Sequence, residues 1–212
     1  GALGLVSYTQ PTPNAIDGNT AVGGLALVNC TGSLNTVVGA SSAYSSGNAY
    51  AHSNTTVLGS GTTATGDNQV VLGDTSVTTL KCNVTTITSL SDERTKENIE
   101  DSNLGLEFIN ELKTKTFNKK NPADWEEGIL EERYQDKNSE EYKRPSDNPT
   151  TYTGLIAQEV KGVLDKLNIG EWDGWDEEPN GVQRLGYGAL VMPLIKAVQE
   201  LSAQVEDLKS KI

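Results

Sequence analysis

The chain has 212 residues, 22% of them charged, and a net charge of −12. That length allows one or two domains with real cores. The acidic balance excludes a surface that coats phosphate backbones, so no nucleic-acid partner is expected, and no apolar run approaches the ~20 residues of a membrane span.

The chain opens Gly-Ala-Leu-Gly, without Met and without a charged segment leading into an apolar run, and reads as a fragment or processed piece. Two cysteines, Cys30 and Cys82, make no disulfide framework and are expected as small core side chains. With one histidine, His52, and no Cys pair, neither a metal site nor a cofactor is expected.

The charge is unevenly divided: −2 over residues 1–90 and −10 over 91–212. Such a step marks a domain boundary. The first part is rich in Gly, Ser, Thr and Asn, a composition shared with low-complexity disorder. A repeat argues for order. "NTAVG" (19–23), "NTVVG" (35–39), "NTTVLG" (54–59) and "NQVVLG" (68–73) share Asn, apolar β-formers and a closing glycine. The glycines follow one another at intervals of 16, 20 and 14 residues. Stacked short strands keep such a beat, so residues 1–73 predict a β-solenoid whose core is supplied by stacking and by further chains.

Residues 74–90, "DTSVTTLKCNVTTITSL", carry Val77, Leu80, Cys82, Val84, Ile87 and Leu90 among threonines. Leu80, Cys82 and Val84 alternate as one face of a strand. The segment predicts a narrow β-stalk whose hydrophobic partners are its own copies.

The charged part predicts a mixed architecture. Leu104, Phe108, Ile109 and Leu112 form a helical stripe. "KTKTFN" (113–118) reads as a strand, and 119–150 as a long surface excursion. "TYTGLIA" (151–157) is strand-like and leads into a helix with Val160, Val163, Leu164 and Leu167 on one face. In "EWDGWDEEPNG" (171–181) Trp172 and Trp175 among carboxylates are a candidate grip for a sugar or cation, with a packed hairpin tip the favoured reading. The repeat region offers almost none of the paired carboxylates a glycan hydrolase needs.

At the C-terminus Val191, Val198, Val205 and Ile212 recur every seven residues, with Leu194, Leu201 and Leu208 between them. This is an a/d heptad seam over 188–212, β-branched at a and Leu at d. Seven such side chains at ~1.5–3 kcal/mol each give roughly 10–20 kcal/mol gross per chain if fully buried, enough to drive association. The competing expectation is a helix whose seam packs on its own domain.

Between the stalk and the charged part stands "SLSDERTKENI" (89–99). A helix start is one reading, with Ser91 as cap and Asp92 and Glu93 in the first turn. The wider pattern supplies another. "SDERTKENI", "GLIAQEV" (154–160) and "LGYGALVMPLIKAVQELSAQVEDLKSKI" (185–212) occur in that order. Together, over about residues 91–212, they resemble the C-terminal intramolecular chaperone domain of phage tail spikes, tail fibres and neck appendages, the peptidase S74 family. The repeats 1–73 likewise resemble the head repeats of trimeric adhesins and phage fibres. The insert 119–150 is not part of the pattern.

The resemblance implies an α+β chain with an all-β N-terminal part: a homotrimeric β-solenoid, a triple-stranded β-stalk, then a mixed α/β chaperone domain over 91–212 ending in a long coiled-coil helix. It implies a domain that trimerises, holds three stalks in register and releases itself by autoproteolysis. The setting is a virion tail assembled in the host cytoplasm, with a host glycan or receptor as a further partner of the fibre part. It assigns Ser91 and Lys96 as nucleophile and base of a single-turnover serine endopeptidase. Ser91–Asp92 is the implied scissile bond; simple chemistry offers Leu90–Ser91, because a Ser hydroxyl reaches its preceding carbonyl through a five-membered ring. Arg94, Glu97 and Asn98 are supporting candidates. Arg94 either lowers the pKa of Lys96 or pairs with Asp92 or Glu97. Residues five apart do not face each other on an α-helix, so Lys96 must reach Ser91 through a turn or from a neighbouring protomer, an alignment expected to wait for the trimer. The rival is a fibre tip that trimerises and never cuts.

Overall fold

The structure, a computed structural model, describes residues 5–6, 18–44, 49–84, 86–138, 144 and 146–212. The glycine-closed segments fold as three-residue strands. β1 (Leu5–Val6) runs antiparallel to β2 (Thr20–Val22), and β2, β3 (Thr36–Val38), β4 (Thr56–Leu58) and β5 (Val70–Leu72) follow side by side in parallel. Their middle residues Ala21, Val37, Val57 and Val71 are in register, and the three valines pack into one core. Val37 and Val57 are fully buried with Ala43, Tyr50 and Ala64. Val38, Leu58 and Leu72, the next residues along, are exposed, as the period of two requires.

The closing glycines have two separate causes. Gly23, Gly39 and Gly59 have φ of 131°, 144° and 128°, a region open to glycine. They also stack: a Cβ on Gly23 would lie 2.5 Å from the Gly39 carbonyl oxygen, and one on Gly39 would strike the carbonyl of Gly59.

The repeated asparagine does two jobs. Counted in strand register, Asn19 and Asn35 stand level with Thr55 and Gln69. Asn19 Oδ1 accepts the Asn35 backbone N–H at 2.9 Å, and Asn35 Oδ1 accepts the Thr55 N–H at 3.0 Å and its hydroxyl at 2.8 Å. Asn54 and Asn68 sit one residue earlier, level with Gly18 and Leu34, where all four have left-handed φ between 55° and 70°. Stacking within one chain already gives this region a core, in which the asparagine ladder satisfies interior polar groups while Tyr50 and the valines fill the space.

Among the described residues of 74–90 no strand forms within one chain. Cys82 is exposed, not a core residue, whereas Cys30 is half-buried against the stack's core. Val77, Leu80, Val84, Ile87 and Leu90 are between 50% and 98% exposed. A lone extended segment has neither a second strand for its backbone nor a face to cover its side chains.

The chain divides into two units, Gly1–Lys81 with Asn121–Asp147, and Cys82–Lys120 with Asn148–Ile212. The insert is more structured than a surface excursion. It holds 3-10 turns at Pro122–Asp124 and Glu127–Ile129, the short helix α2 (Glu132–Gln135) and the buried residues Pro122, Ala123 and Tyr134. Asn121 donates to Asp147 at 2.8 Å across its ends, and Arg144 grips both oxygens of Asp124.

In the second unit α1 (Leu106–Glu111) and α3 (Ala157–Lys166) pack through Phe108, Val160 and Leu164. β6 (Lys115–Asn118) pairs antiparallel with β7 (Thr151–Gly154). β8 (Trp175–Glu177) and β9 (Gln183–Leu185) form the expected hairpin. Trp172 packs edge-on against Phe108 at 5.4 Å, and Lys161 lies over Trp175, so both indoles are occupied by their own domain. The chain ends in α4 (Val191–Ser210). The fold is α+β, and among the described residues no helix is long and apolar enough to cross a membrane.

Candidate functional site

Within the second unit, the stalk segment is followed at once by a single tight turn. Asp92 has extended backbone (φ −70°, ψ 134°) and caps a 3-10 turn over Glu93–Thr95, its Oδ1 accepting the Arg94 N–H at 2.9 Å. Ser91 is therefore not the cap. The carboxylate of Asp92 is better placed, because the chain turns immediately after it. Arg94 folds back on the same carboxylate, Nε to Oδ1 at 2.9 Å and Nη2 to Oδ2 at 2.6 Å. That guanidinium first, and the Arg94 backbone N–H second, hold the Asp92 carboxyl below the usual aspartate range. Of the roles open to Arg94, the structure selects the pairing with Asp92.

The other end of the turn is closed on the Asp92 carbonyl. Thr95 donates to it twice, from N–H at 3.0 Å and from Oγ1 at 2.7 Å. Lys96 donates its N–H to the Glu93 carbonyl at 3.0 Å and then returns to extended backbone (φ −123°, ψ 150°). This geometry brings Lys96 Nζ to 2.8 Å from Ser91 Oγ. The pair meets within one chain through the turn, so its alignment does not wait for a trimer. What one chain lacks is cover: Ser91 and Lys96 are both exposed. A lysine serves as base only when burial or neighbouring positive charge favours its neutral form. Glu97 and Asn98 are exposed and make no hydrogen bond to the pair; Asn98 takes a left-handed turn at φ 52°. Sequence reasoning missed Thr95, whose role depends on a turn type that the pattern does not spell out.

The second feature is α4. Pro193, Ala197 and Glu200 form the face turned toward its own unit. Pro193 and Ala197 are buried, and Glu200 Oε2 accepts the Leu106 N–H at 2.7 Å. Val191, Leu194, Val198, Leu201, Val205 and Leu208 lie on the other side, 41–62% exposed. The seam does not pack on its own domain, because small and polar residues take that place. Ile212 lies just past the helix end and is fully exposed. Met192 and Ile195 widen the exposed apolar face near the helix start, a feature the heptad count alone misses.

Among the described residues no group of three His, Cys, Asp or Glu side chains is placed to hold a metal. No curated protein matches the chain. The family model described as chaperone of endosialidase, Peptidase_S74, matches residues 91–169, starting at Ser91 itself. The match supports reading the C-terminal part of this chain, from the Ser91 turn through α3, as a chaperone domain of the peptidase S74 type.

Proposed function

We propose that this chain is the C-terminal part of a phage tail spike or fibre whose last domain assembles three copies and then cuts itself free. Residues 1–73 form the fibre, 74–90 the stalk and 91–212 the chaperone. The exposed α4 seam gives three chains a common zipper. The uncovered side chains of 74–90 gain their partners when three stalks wind together. Register in a Thr-rich stalk is weakly specified and interchain pairing is slow, so tethering its ends has a physical purpose. The chain works in the virion tail, with a host glycan or receptor as the fibre's further partner.

The observation that carries the cutting step is the 2.8 Å contact of Lys96 Nζ with Ser91 Oγ. Neutral Lys96 takes the hydroxyl proton; Ser91 Oγ adds to the Leu90 carbonyl through a five-membered ring, or to the Ser91 carbonyl of a neighbouring protomer, since its own would close a four-membered ring; the leaving amine receives the proton from Lys96. Water then hydrolyses the ester. Assembly supplies the missing cover: stalk and neighbouring protomers exclude water from the pair and favour the neutral amine. The bond cut is Ser91–Asp92 or Leu90–Ser91, which product masses distinguish.

Exposure of the pair in one chain is the observation that favours the rival, a clamp that trimerises and stays attached. Ser91→Ala separates the two. On a denaturing gel and by intact mass after folding, the parent chain splits in two and the variant stays whole. A parent chain that stays whole as a folded trimer leaves the clamp.

A further inference from the structure

We infer that Thr95 is a positioning residue for the cut, acting through the turn that sets Lys96 opposite Ser91. This rests on the reading of Ser91 and Lys96 as nucleophile and base. Between them lie only residues 92–95, and five-residue spacing puts two side chains on different faces of an α-helix. The contact exists only while this stretch stays wound as a 3-10 turn.

The turn is held at two ends. At its start, the Asp92 carboxylate binds the Arg94 N–H and guanidinium. At its end, the Asp92 carbonyl receives both Thr95 donors. Glu93, Arg94 and Thr95 are all exposed, so water competes for every one of these bonds and no buried side chain props the turn from behind. Lys96 itself has a long flexible stem, so the backbone turn acts by narrowing the volume its ammonium samples around Ser91. The Thr95 hydroxyl bond, at 2.7 Å, and the backbone bond to the same carbonyl, at 3.0 Å, both have ordinary lengths for their donors. The β-branch of threonine restricts the rotamers from which the hydroxyl bond is made. Thr95 thus holds the base in place without touching the reacting atoms.

The test uses the full chain and four variants, Thr95→Val, Thr95→Ala, Thr95→Ser and Ser91→Ala. The cleavage rate is followed by gel in samples already assembled, alongside oligomer mass, melting temperature and the pH dependence of the rate. The Val and Ala variants are expected to cut about tenfold more slowly, the worth of one lost hydrogen bond. Thr95→Ser, which keeps the hydroxyl, returns the rate to within about twofold. Oligomer mass and melting temperature stay as in the parent, and so does the midpoint of the pH–rate profile, because the base is misplaced and not re-tuned. Thr95→Val cutting at the parent rate overturns the inference. So does a fall in melting temperature or oligomer mass that accounts for the slower cutting. A parent chain that never splits, or Ser91→Ala that still does, overturns the Ser/Lys reading and this inference with it. Ser91→Ala staying whole while Thr95→Val cuts normally overturns this inference alone.

Discussion

At position 34 a leucine stands where the turn of the stack takes glycine or asparagine. Gly18, Asn54 and Asn68 occupy the equivalent place in the other turns, and all share its left-handed backbone. An L-residue with a larger side chain is strained there, and Leu34 is 63% exposed, so its burial offers little in return. Leu34→Asn is therefore expected to stabilise the stack by about 1 kcal/mol, read as a raised melting temperature. Asn35 is the contrasting case. It is fully buried, and its amide joins the His52 carbonyl to the Thr55 N–H, so two turns depend on one side chain. Both asparagine roles come from one letter in the repeat, and only the strand register tells them apart.

Among the elements, the three-residue 3-10 turn at Glu93–Thr95 is one whose start is held by a charge. The carboxyl of Asp92 is held low by Arg94, so the turn's stabilisation is present above the ordinary aspartate range. It is lost as pH falls through the lowered value of the folded state. The Arg94 amide, followed by NMR, is expected to keep its hydrogen-bonded shift through mildly acid pH and to lose it only below the range of a free aspartate. A midpoint at or above that range would contradict the Asp92–Arg94 pairing. The helix α4 shows a different economy. Pro193 and Ala197 let it lie close to its own unit, and Glu200 fastens it to the start of α1. Its leucines and valines are left for another surface.

For the whole molecule, unpartnered apolar residues stand along the two segments that the proposed assembly brings together, the stalk and α4. Leu201→Asp combined with Leu208→Asp puts carboxylates into the seam while leaving Pro193, Ala197 and Glu200 untouched. The expected result is a shift to monomer by light scattering, with the far-ultraviolet signal of the folded unit retained. Cleavage is lost too, although Ser91 and Lys96 still meet, because nothing then covers them. Cleavage that persists in the monomer would show that the pair needs no partner to act.

Much was legible beforehand. The glycine beat marked the stacked strands, the heptads marked α4, and the stripes around Phe108 and Val160 marked the helices that form the second core. These features repeat at the period of the backbone, so sequence spacing is enough to reveal them. The reach of Lys96 to Ser91, the capture of Arg94 by Asp92 and the bracing by Thr95 were settled only in three dimensions. Each depends on how one short turn is wound, and the same residues in an α-helix would have placed lysine and serine on different faces. Which face of α4 remains free was likewise decided by packing, since Pro193, Ala197 and Glu200 take the inner side. Periodicity shows that a helix has an apolar stripe, but only its neighbours determine whether the stripe is covered.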